Sequence, residues 1–245
     1  NGLYNVGDEI NISGNIVVSQ DTNGFASFVL QCANGNVEFY KAPVILKSGQ
    51  QKTVELSTYL ETFVIGNLSG SCNIDFSYAG DSRQTRTFEI SKEITVNLNL
   101  NSILFNPGEN VFVSGNAVKK NGQSLNGFAE VSITSIGVHS LVSVIEGKFS
   151  SNISLPNDLA AGNQDITVRA YEKNSDGNVL NEGFASSSIK VSQVPKSVKV
   201  ALNRESFVPG DEVTYTLIVY DQSGKEMSVS VNANIASPNN IAIDK

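Results

Sequence analysis

Three stretches decide how this chain is read: YNVGDEINISG at 4–14, FNPGENVFVSG at 105–115 and FVPGDEVTYTL at 207–217. In each, an aromatic residue precedes a glycine turn, an acidic residue and then an alternating run. The glycines, Gly7, Gly108 and Gly210, stand 101 and 102 residues apart. Self-similarity at a fixed period establishes domain count more firmly than local propensity does. The chain therefore reads as two complete repeats and the beginning of a third.

The match continues outward from these stretches. Asn23-Gly24-Phe25-Ala26 answers Asn126-Gly127-Phe128-Ala129, and Gly122 and Gly224 each fall 14 residues past their turn glycine. CNIDFSYAGDS at 72–82 parallels DITVRAYEKNS at 165–175, and TFEIS at 87–91 parallels SIKVS at 188–192. Within the repeats, apolar residues alternate with polar ones: Val213, Tyr215, Leu217 and Val219 in the third, Ile166, Val168 and Ala170 in the second. A period of two between Gly, Asn, Asp and Ser clusters predicts antiparallel sheets with one buried face. Such clusters include Lys119-Lys120-Asn121-Gly122, Asn174-Ser175-Asp176-Gly177 and Asp221-Gln222-Ser223-Gly224. A repeat near 100 residues is the size of an immunoglobulin-like sandwich. Helix is expected only over Thr58–Val64, with Tyr59, Leu60 and Phe63 on one face. Boundaries near 94 and 194 give domains 1–94, 95–194 and 195–245, the second boundary stiffened by Pro195. The last segment holds about half a sandwich. It is read as a boundary within a longer protein, a cleavage product, or a repeat whose missing strands a neighbouring chain supplies.

Bulk composition narrows the function classes. The 245 residues are 40% hydrophobic and 17% charged, below the roughly one quarter charged in an ordinary domain. The formal net charge of −7 gives no electrostatic reason to approach phosphate backbones or anionic lipid, so nucleic acid is not an expected partner. No run of about 20 apolar residues marks a transmembrane helix. The first residues lack a basic-then-apolar signal segment, which suggests either a leader already removed or a piece of a longer protein.

Few residues invite chemistry. Cys32 and Cys72 both lie in the first repeat, 40 residues apart. They read as a disulfide between strands, formed in an oxidising compartment. Two buried free thiols are the alternative, and the confinement of both to one repeat favours the bridge. Three Asn-X-Ser sequons, at Asn11, Asn67 and Asn152, are candidate glycosylation sites, Asn67 being the best acceptor because it falls in a loop. His139, the sole histidine, has no nucleophile or carboxylate near it in sequence and reads as a strand or hairpin residue. Asp8-Glu9 and Asp211-Glu212 recur just after the turn glycine, which points to a turn role. Calcium at the domain junctions is the competing reading, although the linkers lack dense Asp-x-Asp runs. No cofactor is expected otherwise. Asn174-Ser175-Asp176-Gly177-Asn178 lacks the closing Glu of a calcium loop and reads as a hairpin.

The segments Phe105-Asn106-Pro107-Gly108-Glu109 and Phe207-Val208-Pro209-Gly210-Asp211 resemble immunoglobulin-like and macroglobulin-like repeats of bacterial and archaeal surface proteins. Gly147-Lys148-Phe149 followed by Leu155-Pro156-Asn157-Asp158-Leu159-Ala160-Ala161-Gly162 extends the likeness. The resemblance implies an all-β fold of tandem immunoglobulin-like antiparallel β-sandwiches in an elongated arrangement, set at the cell envelope. The reactive Cys-Gly-Glu-Gln thioester segment of the alpha-macroglobulins is missing, so a protease trap could be represented only by its scaffold. Fold alone assigns no activity. The expected function is a non-catalytic extracellular structural or adhesive surface protein: a stalk, surface-layer or filament subunit. Its partners would be other protein chains or neighbouring domains, with self-assembly among the outcomes. The alternative is a ligand- or carbohydrate-binding module, or a protease-trap scaffold, within a larger secreted protein. The absence of Trp weighs against a carbohydrate reader.

Overall fold

The alternation is realised as strand in the first two repeats, while in the third the strand begins only at Tyr215, with Val213 ahead of it and both residues exposed. The computed structural model describes residues 2–208 and 210–233. Pro209 of the third turn and the closing Ile241–Lys245 stretch lie outside them. The first repeat forms β1 (Leu3–Asn5), β2 (Glu9–Val17), β3 (Thr22–Cys32), β4 (Gly35–Leu46), β5 (Gln51–Tyr59), one helical turn α1 (Thr62–Ile65), β6 (Gly70–Tyr78), β7 (Asp81–Gln84) and β8 (Phe88–Ser91). One sheet runs β1-β8-β6-β3-β4 with β7 added on β6, while β2 and β5 make a second. Along β2, Ile10 and Ile16 turn inward while Glu9, Asn11, Ser13 and Asn15 face out, the period of a pleated strand. The inward residues join Val6, Phe28, Leu30, Leu60, Ile74 and Ile90 in one core. Fully burying side chains of this size stabilises by about 1.5–3 kcal/mol each.

The expected helix is shorter and begins later than Thr58–Val64. Thr58 and Tyr59 stay in β5, opposite Ile10 and Glu9, because pairing with β2 already engages that stretch of backbone. Leu60 is buried and Phe63 is 75% exposed, so these apolar residues do not share a face.

The second repeat forms β9 (Ile94–Leu100), β10 (Leu104–Phe105), β11 (Asn110–Lys119), β12 (Gly127–Ile133), β13 (Val138–Val144), β14 (Lys148–Ser154), β15 (Gly162–Lys173) and β16 (Val179–Val191). Its sheets run β10-β16-β15-β12-β13 and β14-β11-β9. Strand for strand the larger sheet has the order of the first repeat's, including a short parallel pairing at one edge: β1 beside β8, and β10 beside β16. The third repeat contributes β17 (Pro195–Leu202), β18 (Tyr215–Asp221) and β19 (Glu226–Met227), joined in a three-stranded sheet. The fold divides into two compact units. One comprises Asn1–Asn101, Phe112–Ile153 and Asp165–Ser187; the other, Ser102–Val111, Ser154–Gln164 and Ser188–Lys245.

The recurrent turn explains how the chain leaves one sheet for the other. Asp8 N donates to Asn5 O, Glu109 N to Asn106 O and Asp211 N to Val208 O. Gly7, Gly108 and Gly210 occupy the third position of these four-residue turns with φ of 95°, 81° and 97°. A type II turn demands positive φ there and favours proline one position earlier, where the second repeat carries Pro107. The acidic residue then closes the turn from its side chain. Its carboxylate accepts from the backbone N–H three residues back, at 2.7 Å for Asp8, 2.8 Å for Glu109 and 2.9 Å for Asp211.

Cys32 and Cys72 are disulfide-bonded. They are register partners on the adjacent antiparallel strands β3 and β6, with Cα atoms 4.1 Å apart, so the bridge staples one sheet. Closing a 40-residue loop stabilises by roughly 3–4 kcal/mol in the chain-entropy account. The double substitution Cys32→Ser/Cys72→Ser should therefore lower unfolding free energy by about 3–4 kcal/mol in chemical denaturation. Reductant should reproduce the loss in the parent chain and have no effect on the variant.

Candidate functional site

The densest constellation of buried polar groups lies where the first repeat meets the second, within the first compact unit. Asn5 and Asn181 are both 0% exposed. Asn5 stands at the first position of its turn with its backbone N–H committed to Asp8, leaving its side chain free to reach across. Its Nδ2 donates to Asn181 Oδ1 and to the Glu93 carbonyl, each at 3.1 Å. Its Oδ1 accepts from Asn121 N at 3.0 Å. Asn181 Nδ2 in turn donates to Val6 O at 2.7 Å and to Glu172 Oε1. Both N–H donors and the oxygen of each amide have a partner, which offsets the cost of burying them.

Charge is balanced around this pair. The Lys119 ammonium lies 2.9 Å from Glu172 Oε1 and 3.9 Å from Asp8 Oδ1. Asp8 Oδ2 also accepts from Asn121 Nδ2 at 2.7 Å. Lys119 and Asn121 belong to the hairpin turn closed by Gly122, whose N–H returns to Lys119 O and whose φ is 89°. Further out, Lys120 bridges Glu93 and Glu89, and hydrogen bonds first to Glu93 and then to Glu89 raise its pKa. Exposed pairs of this kind stabilise little. Apolar contact completes the junction, since Leu180 joins the first repeat's core cluster. The arrangement can hold adjoining β-structures in one register, and its carboxylates are already matched by an ammonium and by amide donors.

The third repeat presents the equivalent hairpin, and the second compact unit shows what it does. Gln222 N donates to Val194 O at 3.1 Å and Val194 N to Gln222 Oε1 at 2.8 Å. Gln222 Nε2 serves both Leu159 O and Ser192 O at 3.0 Å. Asp221 caps the same turn. Burial alone would raise its pKa, but donors from Lys225 N, Ser223 Oγ, Gln193 Nε2 and Ser223 N hold it down at about 2.

The remaining residues singled out from the sequence are dispersed. Asn11, Asn67 and Asn152 are exposed, on β2, in the loop after α1, and on β14. His139 lies on β13 with Nδ1 3.9 Å from Glu130 Oε1 across to β12, both side chains solvent-exposed. Asp8 and Asp211 serve their turns, as described above. Asn174 caps its hairpin by accepting at Oδ1 from Asp176 N and Asn178 N. Among the described residues, no three His, Cys, Asp or Glu side chains gather as a metal site. Sequence reasoning passed over Asn5 and Asn181. Asn5 shares its motif position with Asn106, which is exposed and bonded to Glu109, so no local signal separates the two.

Asn181→Ala should cost about 2–3 kcal/mol in denaturant unfolding, because Asn5 Nδ2, Val6 O and Glu172 lose a buried partner. Arg83→Ala, on the exposed β7, should change it by less than about 0.5 kcal/mol. Asp221 gives a pH signature. Its folded pKa lies below the ordinary 3.8, so its contribution is complete above about pH 4 and lost as pH falls through 2. The amide shifts of Ser223 and Lys225 should titrate with a midpoint near 2. Asp221→Asn should abolish that transition.

No family model and no curated protein matches the chain. Among solved structures it is similar to a protein described as membrane anchored from Corynebacterium diphtheriae, at 13% identity and a TM-score of 0.36. The match covers 90% of this chain, which spans 62% of the length of that one. With a superposition that loose, the reading of function stays with the residues.

Proposed function

We propose that this chain is a non-catalytic structural or adhesive segment of an extracellular surface protein, in which immunoglobulin-like β-sandwiches follow one another along the polypeptide. The observation that carries the reading is the hydrogen-bonded junction built on Asn5 and Asn181. Buried amides with partners for every N–H, a matched Lys119–Glu172 pair and the packing of Leu180 join successive repeats through a contact made to hold. A linker meant only to tether would be solvated and flexible. The matched strand order of the two larger sheets supports the tandem sandwich reading. The Cys32–Cys72 bridge supports an oxidising compartment, since cytosolic thiols are kept reduced. Asn11, Asn67 and Asn152 are exposed, so a glycan on any of them would project into solvent.

The reading is tested on the source cells. A membrane-impermeant amine reagent applied to intact cells should label the lysines of this chain, and mass spectrometry should recover Cys32 and Cys72 as one cross-linked peptide. Labelling only after lysis, with both thiols free, would sink the assignment.

A further inference from the structure

β13 closes the larger sheet of the second repeat at the end opposite β10, and among the described residues no strand pairs with its outer side. Its seven residues, VHSLVSV over Val138–Val144, include no Asp, Glu, Lys, Arg or Pro. The counterpart in the first repeat is β4, the end strand of a sheet with the same order. β4 carries Glu38, Lys41 and Pro43, and its pairing with β3 is irregular at Phe28 and Val29. Charge, proline and irregularity are the devices that keep sheet edges from pairing with other chains. Of the two equivalent edges, one has all three and the other has none.

Hydrogen bonding defines which groups of β13 point outward. Ile145 N donates to Lys148 O at 3.0 Å and Lys148 N to Ile145 O at 2.9 Å, so Ile145 turns its backbone toward β14. The next residue turns back, with Glu146 N donating to Asn126 Oδ1 beside β12 at 2.8 Å. Backbone groups alternate sides along a strand, and the β12 pairing runs without a register shift. The N–H and C=O groups of His139, Leu141 and Ser143 therefore face away from β12. The side chains of these three residues lie on the outer face of the sheet, opposite Ser132, Glu130 and Phe128. Leu141 is 61% exposed there.

We propose that the outer edge of β13 is a self-association site whose occupant is β13 of a second copy of this chain. The strand is self-complementary about Leu141. Antiparallel pairing with Leu141 on a two-fold axis sets Leu141 opposite Leu141 and His139 opposite Ser143, the residues whose backbone groups point outward. Each such pair exchanges both of its N–H···O=C bonds. On the inner face Val138 then stands opposite Val144 and Ser140 opposite Val142. No like charges meet along the seam, as they would where charged residues of one sign faced each other. The two Leu141 side chains cover each other across the axis, and the two larger sheets become one continuous sheet with closed two-fold symmetry. Backbone bonds supply the attraction, as in other strand additions. The contact is small, so the dimer is weak in dilute solution and strengthens where copies are held close together. The proposal stands on the edge geometry and does not depend on where the protein resides.

Sedimentation equilibrium of the full chain between about 10 µM and about 1 mM should show a reversible monomer–dimer equilibrium. Leu141→Lys and Leu141→Glu change an exposed side chain, and their melting curves should match the parent's. Each alone should remain monomeric, because like charges meet on the axis. Mixed in equal amounts, the two should pair again. Amide exchange at His139, Leu141 and Ser143 should slow roughly threefold or more at about 1 mM, while β4 amides are unchanged. A parent chain monomeric throughout overturns the site. So does a dimer that survives in Leu141→Lys alone, a Lys/Glu mixture that fails to pair, or protection at β4 or β9 in place of β13. Protection of β13 that requires an unrelated strand peptide, with the chain itself monomeric, overturns the second copy as occupant.

Discussion

A chain that starts in one sheet and must finish in the other has to change direction within four residues. The glycine turn does this in the first two repeats, from β1 to β2 and from β10 to β11, and the same turn recurs in the third. Positive φ at Gly7, Gly108 and Gly210 supplies the reversal, and the following carboxylate ties the turn's first N–H in place. Everything downstream depends on that geometry. The parity of the turn sets which residues of β2 and β11 face the core. It sets equally which backbone groups pair with the neighbouring strand, since a slip of one residue exchanges both sets.

The same turn serves different ends in different repeats. Asp8 closes its own turn and also receives Asn121 and faces Lys119, so in the first repeat the turn doubles as half of a junction. The Glu109 carboxylate instead takes the backbone N–H and side-chain amide of Asn106, within its own turn. The hairpins near Gly122 and Gly224 show a similar economy. One reaches back with an ammonium and an amide, the other with the paired donors and acceptor of Gln222. Both convert a local reversal into a contact with the preceding segment, and both do so with all their buried groups satisfied. An unpaired amide in such a place would cost about as much as the contact returns.

Pairing rules also govern the sheet edges. A sheet edge in isolation is a liability that folds blunt by charge, proline or cover. β4 is blunted in this way, while β11 and β18 are covered by β9 and β17.

By itself the sequence determined the all-β class, the period, the turn and the alternation of buried and exposed positions. These follow from local stereochemistry: glycine at positive φ, proline before it, and side chains that alternate sides of a pleat. Tertiary structure decided the rest. Asn5 and Asn106 occupy one motif position, yet one is sealed inside a junction and the other stays at the surface. Thr58 and Tyr59 carry a helical spacing but remain strand because β2 engages their backbone. Cys32 and Cys72 are separated by 40 residues and meet only because β3 and β6 pair in that register. Each outcome turns on which distant segment arrives as a neighbour, and the local chemistry of a residue carries no record of that.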